Sequence, residues 1–241
     1  MFKHSIFIPQ INYAYFCENI IGIMSYKAII VGASGLIGSN LLNILLDEAT
    51  YTEVTALVRK PTEISHHKLK EVVVDFDKLD DYTNEISGHA LFCCLGTTKA
   101  RTPNEQDYRR IDHDYPVKLA QLAQQNGIKQ YHLVSSLGAD AKSSFFYTKL
   151  KGETEDDIKK VGLNTLHIYR PSLLIGDRKE QGFLEKIAVA LIPVIDPLLV
   201  GSLKKYRSIP AKTVALAMYK QSTNSEDGVF IHLSDQIKQI A

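Results

Sequence analysis

The stretch Gly32-Ala33-Ser34-Gly35-Leu36-Ile37-Gly38 constrains this chain more than any other. It continues an apolar β-branched run, Ala28 to Gly32, and opens directly onto Leu36 to Glu48, where apolar residues recur at helical spacing. Three glycines at that junction allow a tight bend, a close backbone approach to an anion and close packing of helix on strand. Unpaired N–H groups and the helix dipole favour a phosphate at the helix start, with Gly32, Ser34, Gly35, Leu36, Ile37 and Gly38 as the expected contacts. A plain glycine-rich turn is the bland alternative, and the continuation as strand, helix, strand weighs against it.

Short β-branched runs then alternate with longer amphipathic stretches. The expected strands are Ala28 to Gly32, Glu53 to Val58, Glu71 to Val74, Ala90 to Cys94, Gln130 to Ser135, Thr165 to Tyr169 and Gly228 to Leu233. Leu36 to Glu48, Glu105 to Asn126 and Ser144 to Val161 read as helices, and Gly127 sits where the second needs a left-handed terminator. A later helix is expected over Thr213 to Tyr219. This alternation predicts an α/β fold, a doubly wound parallel Rossmann sheet of about seven strands with a small C-terminal substrate-side lobe. Residues 1–23 read as an extension outside the fold, 24–170 as the nucleotide-binding core, and 171–241 as the lobe, whose last strand returns to the sheet.

The apolar stretch Phe183 to Val200 is interrupted by Glu185, Lys186, Pro193, Asp196 and Pro197, so it reads as buried packing, with a homodimer contact as the second reading and no membrane span. Lys plus Arg number 28 against 27 for Asp plus Glu, a net charge of +1, which leaves no electrostatic footprint for nucleic acid or an anionic membrane and points to a small-molecule partner. Cys17, Cys93 and Cys94 are an odd set with two members adjacent in an apolar run, which argues against a disulfide framework and for reduced, cytoplasmic thiols. His66, His67, His89, His113 and His132 form no ligand spacing with acids or cysteines, so no metal site is expected.

Ligands of such sheets gather at the carboxyl ends of the strands. Glu53 has the sequence separation of a ribose-binding acid but opens the second strand, whereas Arg59 and Lys60 close it. Two cations there attract a 2′-phosphate, which the Arg fork can bind through two parallel hydrogen bonds, so NADP(H) is expected over NAD(H). Asp75 and Phe76, just past the third strand, are placed for the adenine. Leu95-Gly96-Thr97-Thr98, past the fourth, is placed for the nicotinamide ribose, with Gly96 allowing close approach.

Of the 12 tyrosines, only Tyr147 has a lysine four residues on, Lys151, which puts both on one helix face. A neighbouring cation favours the phenolate, and the same ammonium can hold the nicotinamide ribose. The fifth strand ends in Ser135-Ser136, where Ser136 is the choice to polarise a substrate oxygen and Ser135 the fallback. In this scheme Tyr147 exchanges a proton with the substrate oxygen.

With Arg170-Pro171-Ser172 after the sixth strand, these residues resemble the atypical branch of the short-chain dehydrogenase/reductase superfamily. Longer strings, Glu71 to Tyr82, Phe92 to Thr98, Ser135 to Asp140 and Lys151-Gly152-Glu153, resemble the Tat-interacting protein family of oxidoreductase-like proteins over about residues 27–220. The resemblance implies a Rossmann fold, NADPH binding that includes Pro171, and the Ser136, Tyr147, Lys151 set. It leaves the substrate open, since family members are linked both to redox chemistry and to regulatory protein contacts. Many short-chain enzymes carry an Asn after the fourth strand that supports a proton relay, whereas this chain reads Ile111-Asp112-His113-Asp114, and the relay is weaker unless Asp112 replaces it. Arg109 and Arg110 among Asp107, Asp112 and Asp114 read as a salt-bridged helix face. Three functions follow for test: an NADP(H)-dependent oxidoreductase of small carbonyls or alcohols, an NADP(H)-binding regulator without turnover, and an epimerase or dehydratase retaining NAD.

Overall fold

The computed structural model describes residues 26–176 and 196–241. The expectations for residues 1–23 and for most of Phe183 to Val200 fall outside the described residues. Strands β1 (Tyr26–Val31), β2 (Tyr51–Val58), β3 (Leu69–Val73), β4 (Ala90–Cys93), β5 (Gln130–Val134), β6 (Thr165–Arg170) and β9 (Gly228–Leu233) form one sheet in the order β3-β2-β1-β4-β5-β6-β9. Every pairing in it is parallel. A short pair, β7 (Leu174–Ile175) with β8 (Ile209–Pro210), lies apart from it. The expected seven-strand doubly wound sheet is the fold found, and its strand order reverses direction between β1 and β4, where a crevice opens at the carboxyl ends.

Helices cover both faces, which is why the central strands are apolar at successive positions instead of alternating. Ala28 and Ile30 of β1 pack on one face with α1 (Leu36–Asp47), α5 (Ala211–Ser222) and Ile237 of α6 (Ser234–Ile240). Ile29 and Val31 of the same strand pack on the other, with Leu119 and Ala123 of α3 (Tyr115–Gln125) and Ile158 of α4 (Phe146–Lys160). Gly127, at φ +70°, ends α3 as its position suggests. No helix among the described residues is long and apolar enough to cross a membrane.

The sequence reading lacks α6 and the β7–β8 pair, and two further stretches differ from it. A 3₁₀ segment, Phe76–Glu85, connects β3 to β4, started by Asp75, whose Oδ1 accepts the Asp77 N–H at 3.0 Å. The single helix expected over Glu105 to Asn126 is instead α2 (Glu105–Arg109), a π-turn (Arg110–Asp114) and α3.

Candidate nucleotide and proton-transfer site

Gly32, at φ +82°, ends β1 so close to β4 that a Cβ would lie 2.6 Å from the Cys94 carbonyl oxygen. A Cβ on Gly38 would lie 2.1 Å from the Gly32 carbonyl oxygen, so the first turn of α1 rests directly on the strand end. Gly35 is the N-cap, with no side-chain cap, and the first bond into the helix is Ser39 N–H to Gly35 at 2.9 Å. The N–H groups of Leu36, Ile37 and Gly38 precede it and carry the positive end of α1 toward the crevice. Ser34 is exposed at the same turn. This cradle fits a pyrophosphate: glycine backbone, unpaired donors and a helix start at the switch of strand order.

Glu53 pairs with Lys27 at 3.3 Å at the amino end of the sheet, away from the crevice. Arg59 and Lys60 are exposed just past β2 and have no hydrogen-bond or ion-pair partner among the described residues. Their loop is fastened by Glu71, whose carboxylate accepts the Thr62 N–H at 3.1 Å and the Thr62 hydroxyl. Asp75 is exposed, with one oxygen committed to its turn, and the Phe76 ring lies 5.5 Å from that of Tyr115. A cavity of about 360 Å³ near them is walled by Arg101, Asn104, Asp107, Arg110 and Tyr115 and includes none of Ser136, Tyr147 or Lys151.

Lys151 is 6% exposed, with Nζ 2.7 Å from Oδ1 of Asp112, itself 1% exposed. That contact is an ion pair without the regular geometry of a hydrogen bond. Burial alone would lower the Lys151 pKa, but the Asp112 carboxylate outweighs it and holds the ammonium above its ordinary value. Tyr147, one turn earlier on α4, is 42% exposed. Ser136 is half-buried, its Oγ 3.3 Å from the Leu137 carbonyl, while the Leu137 N–H is held by the Pro171 carbonyl at 2.9 Å.

Ser135 is tied up elsewhere. Its Oγ donates to Glu155 at 2.5 Å, and Arg170 closes the same carboxylate with Nε at 2.9 Å and a terminal nitrogen at 2.5 Å. Of the two serines, Ser136 alone has a hydroxyl outside that clamp. The close approach of α4 depends on Gly152, where a Cβ would meet the Ala141 N at 2.1 Å and the Asp140 carbonyl carbon at 2.3 Å. Sequence reasoning gave Gly152 no role, although its place directly after Lys151 was visible. Cys93 and Cys94 are packing residues whose thiols burial pushes up.

At Gly96 a Cβ would meet only Asp112 Oδ1, at 3.7 Å, so no protein atom demands a glycine there. One expectation needs correction. Asp112 does not share the solvated face of Arg109 and Arg110. Arg109 pairs with Glu153 at 2.6 Å and Arg110 with Asp107, while the carboxylate of Asp112 turns inward. The cause was readable at Pro116, four residues on, which has no N–H to give the Asp112 carbonyl. The π-turn forms there, with Tyr115 N–H bonded to Arg110, and Thr154 Oγ1 from α4 donates to the stranded carbonyl at 2.9 Å. The extra residue in the turn re-aims Asp112.

Comparison with known proteins agrees with a nucleotide-binding fold. Residues 32–188 match the family model described as NAD(P)H-binding. Protein HTATIP2 of Rattus norvegicus is 40% identical over 155 residues, 63% of this chain and 64% of its own length. The protein FMP52, mitochondrial, of Candida albicans is 30% identical over 221 residues, 88% of this chain and 96% of that protein. Among solved structures, MoeE5 in complex with UDP-glucose and NAD has a TM-score of 0.64 at 16% identity, covering 86% of this chain and 75% of that one. The Bordetella bronchiseptica enzyme WbmH in complex with NAD+ also has a TM-score of 0.64 at 16% identity, covering 87% of this chain and 75% of that one. At that identity the structural likeness speaks for the fold, and the sequence matches for the family. The chain belongs to the NAD(P)H-binding family, in the atypical short-chain dehydrogenase/reductase branch that its motifs resemble.

Proposed function

We propose that this protein is an NADP(H)-dependent oxidoreductase acting on a small carbonyl or alcohol. The observation that carries the reading is the juxtaposition on α4 of a buried, charged Lys151 with the accessible Tyr147, beside the loop Leu95 to Thr98. When bound, NADP(H) supplies or accepts hydride. The unpartnered Arg59 and Lys60 hold the 2′-phosphate, the N–H groups at the start of α1 take the pyrophosphate, and Lys151 takes the nicotinamide ribose. Ser136 orients the substrate oxygen by hydrogen bond, and Tyr147 gives it a proton in reduction or takes one in oxidation. Ser135, held by Glu155, supports the strand end and takes no part in this exchange.

Titration of the purified chain with NADPH and NADH in separate samples tests the cofactor, and a panel of carbonyl compounds tests turnover. Steady NADPH oxidation that falls by about 10²-fold or more in Tyr147→Phe, with unchanged NADPH affinity, supports the enzyme. Tight NADPH binding with no turnover across the panel replaces it with the regulator. Nucleotide that stays with the chain through purification and is NAD replaces it with an epimerase or dehydratase, and epimerases are among the solved proteins of similar fold. The reduced-thiol composition fits a cytoplasmic protein, and the mitochondrial naming of fungal relatives makes fractionation the deciding measurement.

A further inference from the structure

Thr97 lies in the loop expected at the nicotinamide ribose, and α2 with its π-turn grips it from both sides. Its N–H donates to Asp112 Oδ2 at 2.8 Å, and its carbonyl accepts the Tyr108 hydroxyl at 3.0 Å. The other Asp112 oxygen lies against Lys151 Nζ at 2.7 Å. Both Asp112 and Lys151 are almost fully buried, so the ion pair is screened little by water and holds its geometry. One carboxylate thus ties a loop on β4 to an ammonium on α4, beside a second link in which the Lys99 ammonium lies 5.7 Å from the centre of the Phe146 ring.

We propose that Asp112 is a positioning residue that holds Lys151 and the Leu95 to Thr98 loop in one fixed relation, so that both meet the same nicotinamide ribose. The proposal rests on the cofactor reading above and assigns it a residue whose chemistry is not that of an amide relay. Asp112 holds Lys151 by charge without taking a regular hydrogen bond from it, so the ammonium donors stay available to the ribose and to Tyr147. Tyr108 acts on the same loop through the Thr97 carbonyl, and its own pKa is raised, by burial first and then by the Asp112 charge.

A double-mutant cycle on NADPH binding tests this, with Asp112→Asn, Lys151→Met and the pair together in the full chain. The chain has no tryptophan, so the emission of the bound nicotinamide is read against a tyrosine background. Asparagine keeps an acceptor for the Thr97 N–H but loses the charge that holds Lys151. Asp112→Asn is expected to raise the NADPH Kd about tenfold, the scale of coupling between contacting groups, and to shift emission per bound nucleotide toward that of free NADPH. In the Lys151→Met background the same substitution is expected to change neither. An equal loss in both backgrounds overturns the proposal, as does a tighter NADPH complex in Asp112→Asn, which would mean that Asp112 only repels an anionic nucleotide. If Asp112→Asn alone does not fold, the neutral double variant compared with Lys151→Met decides: matching Kd values support the role, and a further loss of more than about threefold removes it. Failure of the unaltered chain to bind NADPH is a separate result and overturns the cofactor reading itself.

Discussion

Acid should loosen this protein through a row of stacked rings inside its sheet. Phe92, His132, His167 and Phe230 lie on neighbouring strands β4, β5, β6 and β9, with ring centroids 4.7, 4.7 and 5.0 Å apart. His132 is satisfied by Tyr169 Oη at 3.1 Å and Gln130 Oε1 at 3.1 Å, and His167 Nδ1 lies 3.0 Å from His232 Nε2. Burial first, and then the neighbouring His232, lower the His167 pKa from 6.5 to about 4, and burial lowers that of His132 in the same direction. A group with a depressed folded pKa stays neutral in the native state while the unfolded chain takes up a proton, so stability is lost as pH falls from 6.5 toward 4. For His167 alone, linkage over those two values gives a loss of about 2 kcal/mol between pH 8 and pH 5. With a urea m-value of roughly 2 to 3 kcal/mol/M for a chain of this size, that is a midpoint shift of about 0.7 to 1 M. Urea unfolding followed by circular dichroism at the two pH values, in the parent and in His167→Phe, isolates this part, because phenylalanine preserves the stack and removes the titration. If the pH-dependent shift is as large in His167→Phe as in the parent, the His167 imidazole is not part of its source and the reasoning is wrong.

Replacing Gly152 with alanine should push α4 away from Ala141, costing about 2 to 3 kcal/mol or more and lowering Tm by roughly 5 to 10 °C. Differential scanning calorimetry checks this, and an unchanged Tm would show that the helix can move freely. Arg59→Ala with Lys60→Ala should weaken NADPH by about tenfold or more and leave NADH nearly unaffected, as read by isothermal titration. Equal losses for both nucleotides would place the pair away from the 2′-phosphate. Glu155→Gln removes the charge facing Arg170 and one of the two acceptor oxygens that Arg170 and Ser135 share, and should destabilise by about 3 to 5 kcal/mol in equilibrium unfolding; a loss under about 1 kcal/mol would mean that water takes over the carboxylate's part.

The sheet was legible because both its faces are covered, which writes each strand as an apolar run bounded by turn residues, as in Ala28 to Gly32 and Ala90 to Cys94. The phosphate cradle was legible because Gly32 and Gly38 answer steric demands that no other residue meets. What escaped were features set by contacts far apart in sequence. Nothing near Ser135 announces that Glu155 and Arg170 will hold it, and nothing near Gly152 announces the loop at Asp140 and Ala141. Asp112 was partly legible, since Pro116 marks a break in the helix, but its direction depends on Lys151 and Thr97, which arrive from other elements. The 3₁₀ segment from Phe76 to Glu85 was missed because it is mostly polar, although Phe76, Leu79 and Tyr82 recur every third residue and the cap by Asp75 marks where it begins.

The outer position of β9 has a consequence for how the molecule is made. Thr165 of β6 registers with Gly228 of β9, its partner far later in the chain. During synthesis the backbone of β6 therefore waits with an open edge, and the Tyr169 and Arg170 end has no neighbour on that side, until residues 228–233 leave the ribosome. Such a late, non-local closure makes the tail the last-formed part of the sheet, and a nascent chain stalled before Gly228 presents an unprotected strand to its surroundings.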